Sequence, residues 1–245
     1  MQLMGIIQKI KRKYKSFRKL ICLKKFRNKK GIEIGGPSSF FAGMKGYPIY
    51  EYSATLDNVN FSDKTIWEGE IKSSVFQYLP HKSGRQFIAE ASNLSEIPDE
   101  TYDFLLSSHC LEHCANVLKT VNEWKRVVKS KGLIFLILPN KAQTFDHRRD
   151  VTSFSHLIED FKNNTGEDDL THLSEILDNH DLSLDPPAGT LEEFQQRSLQ
   201  NFSNRCLHHH VFDLPLLKKV FKNTGIKTLY TATEGLNLII IGRKA

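Results

Sequence analysis

Five consecutive residues, His109-Cys-Leu-Glu-His113, set two imidazoles around one carboxylate. On a regular helix, histidines four apart share a face and could hold a metal ion, with the glutamate as base for a bound water. A second group of imidazoles, Arg205-Cys-Leu-His-His-His-Val211, lies far downstream. In an extended segment His208 and His210 would share one face, with His209 on the other. A divalent metal could use that pair with His147 or a carboxylate. Without a metal, one histidine could take a proton from a substrate hydroxyl while its neighbours hydrogen-bond the substrate. The third option is a polar lid whose histidines are satisfied by carboxylates. No metal ligands are assigned at this level.

The elements around these groups say where they can act. Phe104 to Leu106 reads as a short buried strand, broken by Ser107 to Cys110. Val117, Leu118, Val121, Trp124 and Val128 then recur at helical spacing. A strand that opens into a polar turn and then a helix presents its turn at the carboxyl edge of a parallel sheet, where open α/β folds bind ligands. His109 follows the strand so closely that it and His113 straddle this turn, which argues against two zinc ligands within one helix. Gly31-Ile-Glu-Ile-Gly-Gly-Pro-Ser-Ser39 is another strand running into a glycine turn, where Gly35 and Gly36 let backbone approach a ligand. Tyr47 to Tyr52 and Phe87 to Ala89 read as further strands, and Leu133 to Leu138 as an unmistakable one stopped by Pro139. Thr144 to Thr152, dense in ionisable groups, follows that strand and should share its edge. Asp213 caps a helix that Gly225 ends, and Thr228–Thr231 and Leu236–Ile241 form a closing hairpin.

Composition narrows the classes. The 245 residues suit one α/β domain with an insertion, and 40% apolar content supplies a core. Four cysteines without a C-x-x-C pair suggest a reducing compartment, and no signal peptide is legible, so a cytoplasmic protein is expected. The net charge of +6 is unevenly placed. Residues 1–30 hold twelve of the 34 basic residues and none of the 28 acidic ones, leaving the remainder at −6. A mildly acidic body argues against nucleic acid as its partner. In the basic segment Leu3, Ile7, Ile10, Tyr14, Phe17 and Ile21 recur at helical spacing. It reads either as a peripheral anchor on the anionic inner membrane surface or as a helix packed on the domain.

Taken together, GIEIGG, IAEAS, IPDETYDFLLSSHCLEHC and EWKRVVKSKGLIFLILPN, in this order over residues 30–140, resemble the class I S-adenosylmethionine-dependent methyltransferases of the small type 11 kind. The resemblance implies an α/β, Rossmann-like, seven-stranded methyltransferase sheet, mostly parallel with the last strand antiparallel; the common pattern stops after Pro139, and residues 144–210 read as a His- and acid-rich helical lid insertion. It implies S-adenosylmethionine as cofactor. Glu33, Gly35 and Gly36 would form the first cofactor loop, and Glu51 or Asp57 would hold the ribose. Glu90 and Ala91 would lie beside the adenine, and Ser107, Ser108 and His109 beneath the sulfonium. Glu112-His113 matches the family's "LEH" pair. Pro37-Ser38 departs from the family's further glycine, and the interval between the second and third strands is long.

The expected reaction is methylation of an oxygen on a small polar or glycan-linked acceptor. His109, His147, His208 and His210 are the candidates for moving its proton, and Asp146, Arg148 and Arg149 for binding the acceptor. Three rivals stand beside it: a non-catalytic cofactor-binding partner protein, a zinc peptidase of the H-x-x-E-H type, and a nucleic-acid methyltransferase, for which only residues 1–30 speak.

Overall fold

The computed structural model describes residues 24–43, 46–65 and 68–245. The basic helix expected at the start of the chain falls almost wholly outside them. One eight-stranded sheet organises the rest, built from β1 (Lys30–Ile34), β2 (Thr55–Asn60), β5 (Val75–Leu79), β6 (Lys82–Ile88), β7 (Tyr102–Ser108), β8 (Val128–Pro139), β9 (Ile226–Glu234) and β10 (Asn237–Lys244). Its order is β5-β6-β2-β1-β7-β8-β10-β9. The five strands from β6 to β8 run parallel, and β10 pairs antiparallel with both β8 and β9. Helix α1 (Ile49–Tyr52) precedes β2, and β3 (Lys64–Thr65) with β4 (Gly69–Glu70) makes a small separate hairpin.

Two expectations need correction. The second strand is Thr55–Asn60, whereas Ile49–Tyr52, read from sequence as strand, is helical. The true strand escaped the hydropathy pattern because its buried residues include Asp57, Asn58 and Asn60. Asp57 accepts from the Arg85 amide and the Tyr102 hydroxyl, and Asn58 is bonded to Gly36 and Gln86, so their polarity is satisfied inside the fold. The eighth strand is β5, an antiparallel edge that occupies the long interval before β6.

Alternation along the central strands sends side chains into two cores. Leu105, Ile134, Leu136 and Leu138 meet Val121 and Trp124 of α2 (Val117–Val127) and Leu217 and Phe221 of a later helix. Phe104, Leu106, Phe135 and Ile137 face the other way, into Phe26, Phe41, Tyr47 and Tyr50. Asn116 caps α2 by accepting from the Lys119 amide, which fixes where the turn after β7 ends.

Between β8 and the last helix the chain makes a helical insertion of α3 (Phe154–Asn163), α4 (Leu173–Asn179), α5 (Leu191–Leu199) and α6 (Asn201–Asn204). Thr190 and Glu193 close a capping box on α5, and Ile176, Ala188, Phe194 and Leu207 give the insertion its own small core. The chain returns along residues 205–213 into α7 (Leu214–Asn223), whose cap is Asp213. No helix among the described residues is long and apolar enough to cross a membrane.

Phe135 tests this packing. It is fully buried, with the rings of Phe41 and Tyr47 centred 5.2 and 5.0 Å away. Phe135→Ala should lower unfolding free energy by about 3–5 kcal/mol in urea titrations. A loss under about 1 kcal/mol would mean the two-core description is wrong.

Candidate active site

The strand order reverses at β1 and β7, which pair in parallel, and at the carboxyl ends of these strands lies a cavity of about 720 Å³. This lies within the roughly 300–1,000 Å³ of small-molecule sites. Strand ends supply one wall and the helical insertion the other.

The β1 wall is a glycine turn built over a buried acid. Gly35 has φ +78°, its amide donates to the Val59 carbonyl at 2.8 Å, and a side chain there would press on Cys110. Gly36 donates to Asn58 Oδ1 at 3.1 Å, and a Cβ on it would collide with the Glu33 carboxyl. Glu33 itself is fully buried under the turn, accepting from the Tyr50 hydroxyl, which in turn accepts from the Ser38 amide. Burial pushes the Glu33 carboxyl up to about 8, against the lowering effect of the Tyr50 hydrogen bond. Glu33 therefore braces the turn, while Gly35 lines the cavity.

At the end of β2 stands Asn60, a residue not singled out in the sequence. It lines the cavity and donates to the Gly36 carbonyl, and its buried Oδ1 has no hydrogen-bond partner among the described residues. Glu51 is exposed on α1 and Asp57 is engaged inside the sheet, so neither reaches the cavity. Once β2 is placed at Thr55–Asn60, its last residue identifies itself; the misplaced strand hid it.

Glu90 and Ala91 follow β6 and line the cavity, with the Glu90 carboxylate bonded to Arg205 at 2.5 Å. The Ala91 carbonyl accepts from Trp124 Nε1 at 2.9 Å, tying this wall to the core. Ser108 and His109 line it at the end of β7, and Ser107 is buried behind them. His109 has φ +52°, a conformation uncommon for a residue with a side chain, held because its amide donates to the Ile137 carbonyl. Glu112 and His113 follow in a single 3-10 turn, Leu111–His113. The H-x-x-E-H pattern thus spans a strand end and a turn, so the peptidase helix does not form.

The insertion contributes Phe145, Glu167, Asp185, Arg197, Arg205, Cys206 and His208 to the cavity. Burial lifts the Glu167 carboxyl to about 7, although its oxygens accept from the Ala115 amide. His208 Nδ1 is paired at 2.5 Å with Asp146, whose other oxygen takes Arg149 at 3.0 Å. Burial alone would raise the Asp146 carboxyl, but His208 and Arg149 outweigh it and hold it at about 2.

The remaining expected residues lie away from the cavity. His147 and Arg148 both bind Asp181 at 2.9 Å. His210 turns inward to the Ala115 carbonyl at 3.0 Å, and His209 to Asn201. Arg149 is buried and spends its guanidinium on Asp146, Glu175 and the carbonyls of His208 and His209. Of the four histidines named from sequence, the cavity keeps His109 and His208. His208 and His210 do not share a face, because 205–213 is an irregular segment in which partners decide each direction.

The cavity suits an adenosyl cofactor. A tight glycine turn bare of side chains, an orphaned amide oxygen at the end of β2, and the small Ala89 and Ala91 beside Phe61 are the features such a group needs. Residues 51–136 match the methyltransferase domain family. No curated protein matches the sequence. An S-adenosylmethionine dependent methyltransferase from Mesorhizobium loti superposes with a TM-score of 0.54 at 10% identity, covering 90% of this chain and 93% of that one. A Pyrococcus horikoshii protein gives 0.50 at 12% identity, over 89% of this chain and 83% of its own. An Aquifex aeolicus SAM dependent methyltransferase gives 0.48 at 13%, over 90% and 84%.

Glu33 supplies a pH test. Its carboxyl is raised from an ordinary 4.5 to about 8, so the fold favours the neutral form. That contribution is fully present below 4.5 and is lost as pH rises through about 8. Glu33→Gln should flatten the fall in thermal stability between pH 4.5 and about 8. Parallel profiles for the two proteins would place the titration elsewhere.

Proposed function

We propose that this chain is an S-adenosylmethionine-dependent methyltransferase and that it methylates a hydroxyl of a small polar or glycan-linked acceptor. His109 carries the reading. The Asn237 side-chain amine donates to the Glu234 carbonyl at 3.4 Å, which orients the amide so that Oδ1 faces His109 Nε2 at 2.8 Å. With Nε2 donating to that oxygen, Nδ1 keeps its lone pair at the end of β7, 3.6 Å from Glu112 Oε1. The cofactor supplies a methyl group already activated on a sulfonium. The chain has to align the acceptor and give its proton somewhere to go. His109 Nδ1 takes that proton.

The cofactor end is held by Gly35, Asn60, Glu90, Ala91 and Ser108. The acceptor side is then the wall made by the insertion, where Arg197 pairs with Asp185 at 3.2 Å and Glu167 and His208 approach the same space. Phe40 and Phe145 add flat apolar faces. Paired charges interleaved with aromatic rings suit a ring rich in hydroxyls better than an apolar acceptor.

His109→Ala should lower kcat by about 10²–10⁴-fold with calorimetric affinity for S-adenosylmethionine unchanged, whereas His147→Ala should keep full turnover. The assay transfers labelled methyl to a panel of sugars, sugar nucleotides and amines. Undiminished turnover by His109→Ala, or transfer to amines alone, would remove the hydroxyl reading.

A further inference from the structure

We infer that Glu112, His113 and His208 form a binding site for one divalent transition-metal cation of the zinc or manganese class, with an open position toward the acceptor. The three side chains come from the turn after β7 and from the segment returning out of the insertion, and their ligand atoms lie within 4.8 Å of one another. The three ligands of a tetrahedral cation with bonds of about 2.0–2.2 Å lie about 3.3–3.6 Å apart, so a contraction of at most about 1.5 Å closes the site.

Glu112 gives the first reason. It is 1% exposed, and neither carboxylate oxygen has a hydrogen-bond partner among the described residues. Two imidazole nitrogens approach its Oε1, His109 Nδ1 at 3.6 Å and His113 Nε2 at 4.0 Å. A buried carboxylate needs hydrogen-bond donors or a cation, and no other described residue brings a donor within hydrogen-bond distance of this one.

The second reason is independent. His113 donates Nδ1–H to the Leu207 carbonyl at 3.0 Å, and His208 donates Nδ1–H to Asp146 at 2.5 Å. In their neutral forms both rings then present a bare Nε2 that can ligate, and metal-binding histidines carry this outer layer of carbonyl and carboxylate partners. Asp146 is itself anchored by Arg149, so the outer layer is rigid. His113 and His208 line the cavity while Glu112 sits beneath it, which leaves the free coordination position facing the acceptor. Two imidazoles and a carboxylate suit zinc, manganese, cobalt or ferrous iron better than magnesium or calcium.

The other histidine cluster supplies the contrast. His156 Nε2 and His172 Nε2 face each other at 3.0 Å, and His210 Nε2 is spent on the Ala115 carbonyl. Hydrogen bonds account for those nitrogens, and the cluster lies off the cavity.

The cation's role rests on the hydroxyl reading given above; its binding does not. An acceptor hydroxyl at the open position becomes more acidic. Its O–H bond breaks with the proton passing to His109 Nδ1, and the oxygen–methyl bond forms as the sulfur–methyl bond breaks, neutralising the sulfonium.

The test is calorimetric titration of the full, chelator-stripped chain with Zn²⁺ alone and Mn²⁺ alone, alongside visible spectra of the Co²⁺-loaded protein, which report imidazole ligation. One cation per chain is expected. Asp146→Asn should weaken it about 10–100-fold, and Glu112→Gln and His208→Gln more than that, while His172→Asn leaves it intact. Circular dichroism and retained S-adenosylmethionine binding show that each variant folds. No stoichiometric binding by the unaltered chain, or undiminished binding in Glu112→Gln, overturns the site. Transfer only to amines would sink the hydroxyl reading while leaving these titrations unchanged, so the two failures are distinct.

Discussion

Arg149 is almost wholly removed from water, and its five donors reach two carboxylates and two backbone carbonyls on three separate segments. A buried guanidinium tolerates no missing partner, so this one charge fixes where residues 146, 175 and 208–209 must lie relative to one another. The consequence is positional. Asp146 follows β8, Glu175 sits on α4, and the carbonyls belong to the segment leading out of the insertion. The irregular wall of the cavity is thereby as constrained as the sheet it faces.

From that knot the site follows in steps. Asp146, held by Arg149, turns the His208 ring and decides which of its nitrogens looks into the cavity. Leu207, one residue earlier, does the same for His113 through its carbonyl. On the sheet side, the buried Glu33 and the Tyr50 hydroxyl shape the glycine turn without touching the cavity. The cavity is thus lined by residues whose own supports lie behind them. Polar burial of this kind is costly, and here it concentrates where strands end and the cavity begins.

Much of this was legible from sequence where the hydrophobic period is strong. The strand before Ser107, the helix carrying Trp124, the run ending at Pro139 and the closing hairpin all declare themselves. So does Gly35, since a strand running into paired glycines implies a ligand-facing turn. The hidden parts share one cause: their signals depend on partners distant in sequence. Strand β2 looks polar until Asp57 meets Tyr102 and Asn58 meets Gln86. Asn60 stayed invisible for the same reason. The directions of His208, His209 and His210 follow from Asp146, Asn201 and Ala115, and no local alternation predicts them. Arg205 became meaningful only when its partner Glu90 appeared across the cavity.

We propose that the cavity between the glycine turn and the insertion holds the cofactor, with the unpartnered Asn60 Oδ1 at the end of β2 among its anchors. Calorimetric titration with S-adenosylhomocysteine, comparing the unaltered chain with Asn60→Leu, tests it most directly. One-to-one binding that weakens at least about tenfold in the variant, a change of about 1.4 kcal/mol, is the predicted result. Equal affinity for both proteins, or no binding to either, would contradict the account.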